Sequence, residues 1–141
     1  MPRMCYTLPL VGYALRDVEG DHRFHLKFDD RAESCLFLEG PFHLSAGGAT
    51  DEFVPPHAEW VRDVLLSLAG VPVEDARYDR QSNLRIKFAD GRELFVRDGP
   101  FENWHYSNSA GTRLHGGVGR VSSFGGAGRF HVGRQPWRED E

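Results

Sequence analysis

The sequence predicts an α+β fold: a mainly antiparallel sheet, free to curve strongly, with one helix packed on it. Three observations lead there. The segment 24–42 recurs at 84–101, with Lys27-Phe28 matching Lys87-Phe88 and Gly40-Pro41-Phe42 matching Gly99-Pro100-Phe101. Both copies alternate apolar and polar residues with the period of a half-buried strand. Between them lies one apolar stripe at three- and four-residue spacing, the period of a helix.

A strand precedes each hairpin, within 11–18 and 71–78, with Val73, Ala76 and Tyr78 at inward positions. Each repeat, about 12–42 and 70–101, thus reads as a three-stranded meander. In the first hairpin Phe24, Leu26 and Phe28 share a face opposite His25 and Lys27. Its turn is Asp29-Asp30-Arg31-Ala32, and its return strand runs from 34 to 39, with Cys35 read as a small core residue. In the second hairpin Leu84, Ile86 and Phe88 oppose Arg85 and Lys87. There the turn Ala89-Asp90-Gly91-Arg92 contains Asp-Gly, a strong hairpin signal. Gly-Pro closes each unit, because proline cannot donate to a ladder.

The helix between the repeats is expected over 57–69. Pro55 and Pro56 suit its start, Gly70 its end, and Trp60, Val61, Val64, Leu65 and Leu68 form the buried stripe. After the second repeat, 101–106 reads as a strand, 108–111 as a turn, and 113–115 and 118–124 as further strands. The predicted core is Phe24, Leu26, Phe28, Leu36 or Phe37, Val61, Val64, Leu65, Leu68, Leu84, Ile86, Phe88, Leu94, Val96 and Trp104. Residues 1–124 read as one domain, and the glycine- and charge-rich stretch 125–141 as a flexible tail.

Composition bounds the function. The 141 residues are 40% hydrophobic and 27% charged, values of a globular chain. Net charge is −4, with six basic and eleven acidic residues in 1–69 and eleven basic and ten acidic in 70–141. Such a balance disfavours nucleic acid, which needs clustered Lys and Arg, and suits a basic protein partner. No run reaches the ~18 apolar residues of a membrane helix, and the start does not resemble a secretory signal. The expected setting is therefore the cytoplasm, with Cys5 and Cys35 reduced.

No motif points to catalysis, a cofactor or a metal. His22 and His25 fall on opposite strand faces, and His105 and His115 could meet across a hairpin, but no Cys or carboxylate completes a zinc pattern. The carboxylates cluster in turns, where Asp is favoured for backbone reasons. The glycines 116, 117 and 119 lack the strand–loop–helix context of a phosphate loop. What remains is acidic and aromatic: Asp29, Asp30, Glu33, Asp51, Glu52, Glu102, Trp104 and Tyr106 are the candidate partner-binding residues.

The chain also resembles a family. Leu8-Pro9-Leu10-Val11-Gly12, Glu39-Gly40-Pro41-Phe42, Lys87-Phe88-Ala89-Asp90-Gly91-Arg92-Glu93-Leu94 and Phe101-Glu102-Asn103-Trp104 carry the likeness. Together, over residues 8–120, they resemble small uncharacterised bacterial proteins common in actinobacteria, similar in size and layout to immunity proteins of polymorphic-toxin systems. The resemblance implies a non-enzymatic protein that blocks a toxin by occlusion. A homodimeric regulatory scaffold and a small-ligand or enzymatic pocket near His25, His105 or His115 are the alternatives.

Overall fold

A computed structural model describes residues 5–20, 23–55, 58–99, 102–117, 119–124 and 130–132. Among the described residues, thirteen strands and one helix follow in order: β1 (Cys5–Thr7), β2 (Leu15–Glu19), β3 (Phe24–Phe28), β4 (Cys35–Leu38), β5 (Phe42–Ala46), β6 (Ala49–Phe53), α1 (Trp60–Leu66), β7 (Val73–Asp79), β8 (Leu84–Phe88), β9 (Glu93–Val96), β10 (Glu102–Ser107), β11 (Arg113–Gly117), β12 (Arg120–Phe124) and β13 (Phe130–Val132).

The expected α+β architecture is present, but its strands form two antiparallel sheets. One has the order β1-β7-β8-β9-β5-β6, the other β13-β12-β11-β10-β4-β3-β2. The two predicted meanders are β2-β3-β4 and β7-β8-β9, one in each sheet. Each is then extended by the other repeat's next hairpin: β5 pairs with β9, and β10 pairs with β4. The exchange occurs at the repeated Gly-Pro corners. Gly40 and Gly99 both back onto the buried side chain of Asn103; a Cβ at either would lie 2.6 Å from its amide atoms. Asn103 Nδ2 donates to Arg97 O at 2.6 Å, and Asn103 O accepts from Glu39 N at 2.9 Å, so one residue ties both corners.

The repeat extends to backbone detail. A bulge falls between Leu15 and Asp17 where β2 meets β3, and between Val73 and Asp75 where β7 meets β8. Asp29 N donates to Ala14 O at 3.0 Å, and Ala89 N to Pro72 O at 2.8 Å. Ala14 and Pro72 also bridge to each other, marking where the two halves meet.

One apolar core joins both sheets, and it contains Phe24, Leu26, Phe28, Leu36, Leu84, Ile86, Phe88, Leu94 and Val96. Tyr78 of one sheet meets Trp104 of the other with ring centroids 5.5 Å apart. Of the pair Leu36 and Phe37, Leu36 points inward. Strand alternation therefore turns Cys35 partly outward, a correction to its reading as a core residue.

Two further corrections concern the helix. It is shorter than expected, with bonds of i→i−3 type at both ends, such as Val61 N to Ala58 O and Ala69 N to Leu66 O. Trp60 is exposed. Val61, Leu65 and Leu68 occupy one face and are buried, and Trp60 lies about 100° round the axis from Val61. Within the stretch 125–141, Phe130–Val132 pairs with β12. The rest of the expected tail, with Trp137, lies outside the described residues.

Candidate interaction surface

The predicted contact residues do not form one surface. Tyr106 and Trp104 are fully buried, and Asp30 nearly so. These three belong to the interior, a correction to their expected role. The reason is register: Trp104 and Tyr106 share the inward face of β10, opposite Leu38 and Leu36 of β4.

Asp30 is held by the turn that it creates. Its Oδ1 accepts from Ser34 N at 2.8 Å, and its Oδ2 accepts from Ser34 Oγ at 2.5 Å. Since Ser34 Oγ donates to the carboxylate, Tyr106 OH donates to Ser34 Oγ across 2.7 Å, and Asn108 Nδ2 donates to Tyr106 OH across 3.1 Å. The chain Asn108–Tyr106–Ser34–Asp30 thus runs one way through the interior. Burial raises the Tyr106 phenol above its ordinary value, with its hydrogen bonds to Ser34 and Asn108 opposing. A cleft of about 300 Å³ opens beside it, lined by Thr7, Leu8, Pro9, Tyr106, Asn108, Thr112 and Leu114.

Trp104 is fixed just as firmly. Its Nε1 donates to Ser82 O at 2.8 Å, and its indole lies against Gly116, its partner on β11. Ser82 Oγ in turn donates to Asp98 Oδ1, which also accepts from Gly119 N at 2.7 Å.

The remaining acids divide between the sheets. Asp29 is exposed, but its Oδ1 accepts from Ala14 N at 3.0 Å. Glu33 stands on the same turn, exposed, in a left-handed conformation with φ of 52°. Glu102 opens β10, and its side chain lies outside the described residues. Asp51 and Glu52 lie together on β6, at the end of the six-stranded sheet. Glu52 reaches His43 of β5 at 3.6 Å.

At the end of β6 stands the aromatic residue that the sequence pattern assigned to the core. Trp60 is 58% exposed and leans edge-on against Phe53, with centroids 5.9 Å apart. Phe53 stacks on Phe42 at 5.1 Å. A line of rings therefore runs from the core to the surface and ends on a bare indole. Val54, which follows Phe53 in the chain, is 56% exposed. The signal available in the sequence was the pair Pro55-Pro56 shortly before Trp60, a helix start where the first residue need not face inward.

A second feature covers the outer face of the seven-stranded sheet. His25, Phe37, His105 and His115, on β3, β4, β10 and β11, stack in a row with centroids 4.2, 4.9 and 4.0 Å apart. The cross-hairpin meeting of His105 with His115 was foreseeable from their spacing; the continuation through Phe37 required the β4–β10 pairing. Burial lowers the His25 pKa, and the charge of Arg23 lowers it further. Among the described residues no group of three or more His, Cys, Asp or Glu is arranged to hold a metal ion. Nor is any helix among them long and apolar enough to cross a membrane.

Comparison with known families gives a match. The model of a family of unknown function, DUF6188, matches residues 6–119. No curated protein and no solved structure matches the chain.

Proposed function

The chain belongs to the DUF6188 family, and we propose that it is a non-enzymatic protein-binding protein, an immunity protein that neutralises a partner toxin by covering its active site. The observation that carries this reading is the exposed Trp60 at the end of the acidic strand β6. An indole left in water at a fixed position is the composition of an interface anchor, and Trp is enriched among the residues that dominate binding energy. Asp51 and Glu52 supply charge of the sign that draws a basic partner, and the net charge of −4 acts in the same direction at long range. Asp29 and Asp30 serve the backbone and are left out of the contact set. The reading includes a cytoplasmic setting, in keeping with free thiols at Cys5 and Cys35.

The test is co-expression with the protein encoded by the adjacent reading frame. The expected result is restored growth of the host by the wild type and its loss with Trp60→Ala. For the purified pair, truncating an anchor of this kind costs about 2 kcal/mol, roughly 30-fold in Kd. A Trp60→Ala variant that binds and protects like the wild type would overturn the reading, as would a native-host pull-down that yields no protein partner.

A second reading rests on the cleft beside Tyr106, whose walls mix Leu8, Pro9 and Leu114 with the hydroxyls and amide of Thr7, Thr112 and Asn108. Such a lining suits a small, mainly apolar molecule carrying a hydroxyl or carbonyl. Saturable binding of such fragments, lost with Asn108→Leu, would favour it.

A further inference from the structure

We infer that β6 is the acceptor for an added strand, and that its occupant is an extended, basic segment of a partner protein. The inference rests on the proposed protein-binding role and names its mode and chemistry.

The internal repeat supplies the argument. Hairpin β5–β6 attaches to β9 as hairpin β10–β11 attaches to β4, so β6 and β11 hold corresponding places in the two sheets. The outer edge of β11 is filled by β12, from Arg113 opposite Phe124 to Gly117 opposite Arg120. The outer edge of β6 has no neighbour among the described residues. The other two meander edges are also covered. β1 runs along β7, with Tyr6 opposite Tyr78. On β2, Arg62 Nε of α1 donates to Val18 O at 2.8 Å, and Gly70 N donates to Leu15 O at 3.0 Å. Of four corresponding edges, β6 alone stands open among the described residues.

The geometry of the edge suits a strand. β5 and β6 join through the two-residue turn Gly47-Gly48, with φ of 59° and 89°, and Ala46 faces Ala49. Counting from that closing pair, the backbone groups of Ala49, Asp51 and Phe53 turn to β5, and those of Thr50 and Glu52 turn to the open side. Two N–H and two C=O groups are thus presented in a row. Val54 and Trp60 stand beyond the row's end, where an apolar side chain of the incoming strand would land.

Charge selects the occupant. Two copies of this chain paired antiparallel through β6 would set Asp51 and Glu52 against the same residues of the other copy. Acidic residues on an edge strand act against such self-pairing. A strand with Lys or Arg at alternate positions meets the opposite sign and places its cations beside whichever carboxylate, Asp51 or Glu52, shares their face.

The test uses the full chain, 15N-labelled, with three synthetic ten-residue peptides. One alternates Lys/Arg with Val, one is the same sequence N-methylated at alternate residues, and one carries Glu in place of the basic residues. With the first peptide, amide exchange at Thr50 and Glu52 should slow by about tenfold or more, because both groups become strand-paired. The N-methylated and acidic peptides should leave it unchanged. Thr50→Pro, which removes one outward N–H at an edge where proline is tolerated, should abolish the effect while preserving the folded spectrum. If the N-methylated peptide binds as well as its parent, strand addition is wrong and a side-chain surface remains. If no peptide binds and Trp60→Ala also leaves the native partner's affinity intact, the functional reading falls too. A dimer in light scattering that Thr50→Pro dissolves would replace the basic partner with a second copy.

Discussion

Gly116 lies directly against the indole of Trp104, its cross-strand partner, leaving no room for a Cβ. Gly116→Ala should therefore push the indole off its hydrogen bond to Ser82 O or displace β11. The expected loss is about 1–3 kcal/mol, the range for overpacking a filled core. Urea unfolding followed by tryptophan fluorescence measures it; an unchanged midpoint would refute the assigned contact.

Tyr106 should govern part of the response to alkali. Burial holds its phenol neutral above the ordinary value near 10, so the unfolded chain loses this proton first. The stabilisation is complete below pH 10 and drains away as pH climbs through the raised folded-state value. Tyr106→Phe should cost about 1–2 kcal/mol at neutral pH, by leaving Asn108 Nδ2 without its acceptor, and should flatten the decline above pH 10. Stability curves at pH 8, 10 and 11 decide the matter.

His25 acts at the other end of the scale. Its folded-state pKa lies below 6.5, so between that lowered value and 6.5 the unfolded chain binds more protons. Stability therefore rises with pH across this window and falls on acidification. His25→Asn should show a smaller loss than the wild type between pH 7.5 and pH 5.5. Equal losses in the two proteins would contradict the burial assigned to this ring.

Cys35 should be a sluggish nucleophile. Burial pushes its thiol up to about 11 from an ordinary value of 9.0. That rise leaves about a hundredfold less thiolate at neutral pH. Iodoacetamide labelling at pH 7.5, followed by peptide mass spectrometry, should show Cys35 modified far more slowly in the folded protein than in urea. Equal rates would rule the burial out.

Local pattern carried most of the fold. Leu84-Arg85-Ile86-Lys87-Phe88 can form a strand with only one oily side, and the same holds for 24–28, so both hairpins and their buried residues followed from alternation. Alternation says which side is buried and is silent on which strand lies next door. The pairings of β5 with β9 and of β10 with β4 depend on the turn taken at Gly40 and Gly99, which a one-dimensional pattern cannot express. The candidate surface suffered for the same reason. Asp30 looked like an ordinary exposed turn acid, and only the three-dimensional turn shows its carboxylate closed on Ser34. Trp60 was assigned inward because it falls in one stripe with Val64 and Leu68 at helical spacing. In fact Val61, Leu65 and Leu68 already fill the helix's narrow buried stripe.

The crossing of strands between repeats also constrains how the chain folds. Contacts within β2-β3-β4 or β7-β8-β9 join near neighbours in sequence, whereas Leu36 must find Tyr106 and Leu44 must find Leu94 across long stretches of chain. Loop closure of that length slows the search. Either half alone would end in a hairpin with nothing to lean on. A nick between β6 and α1 should thus yield two pieces that are unstructured apart and regain the native form only when mixed.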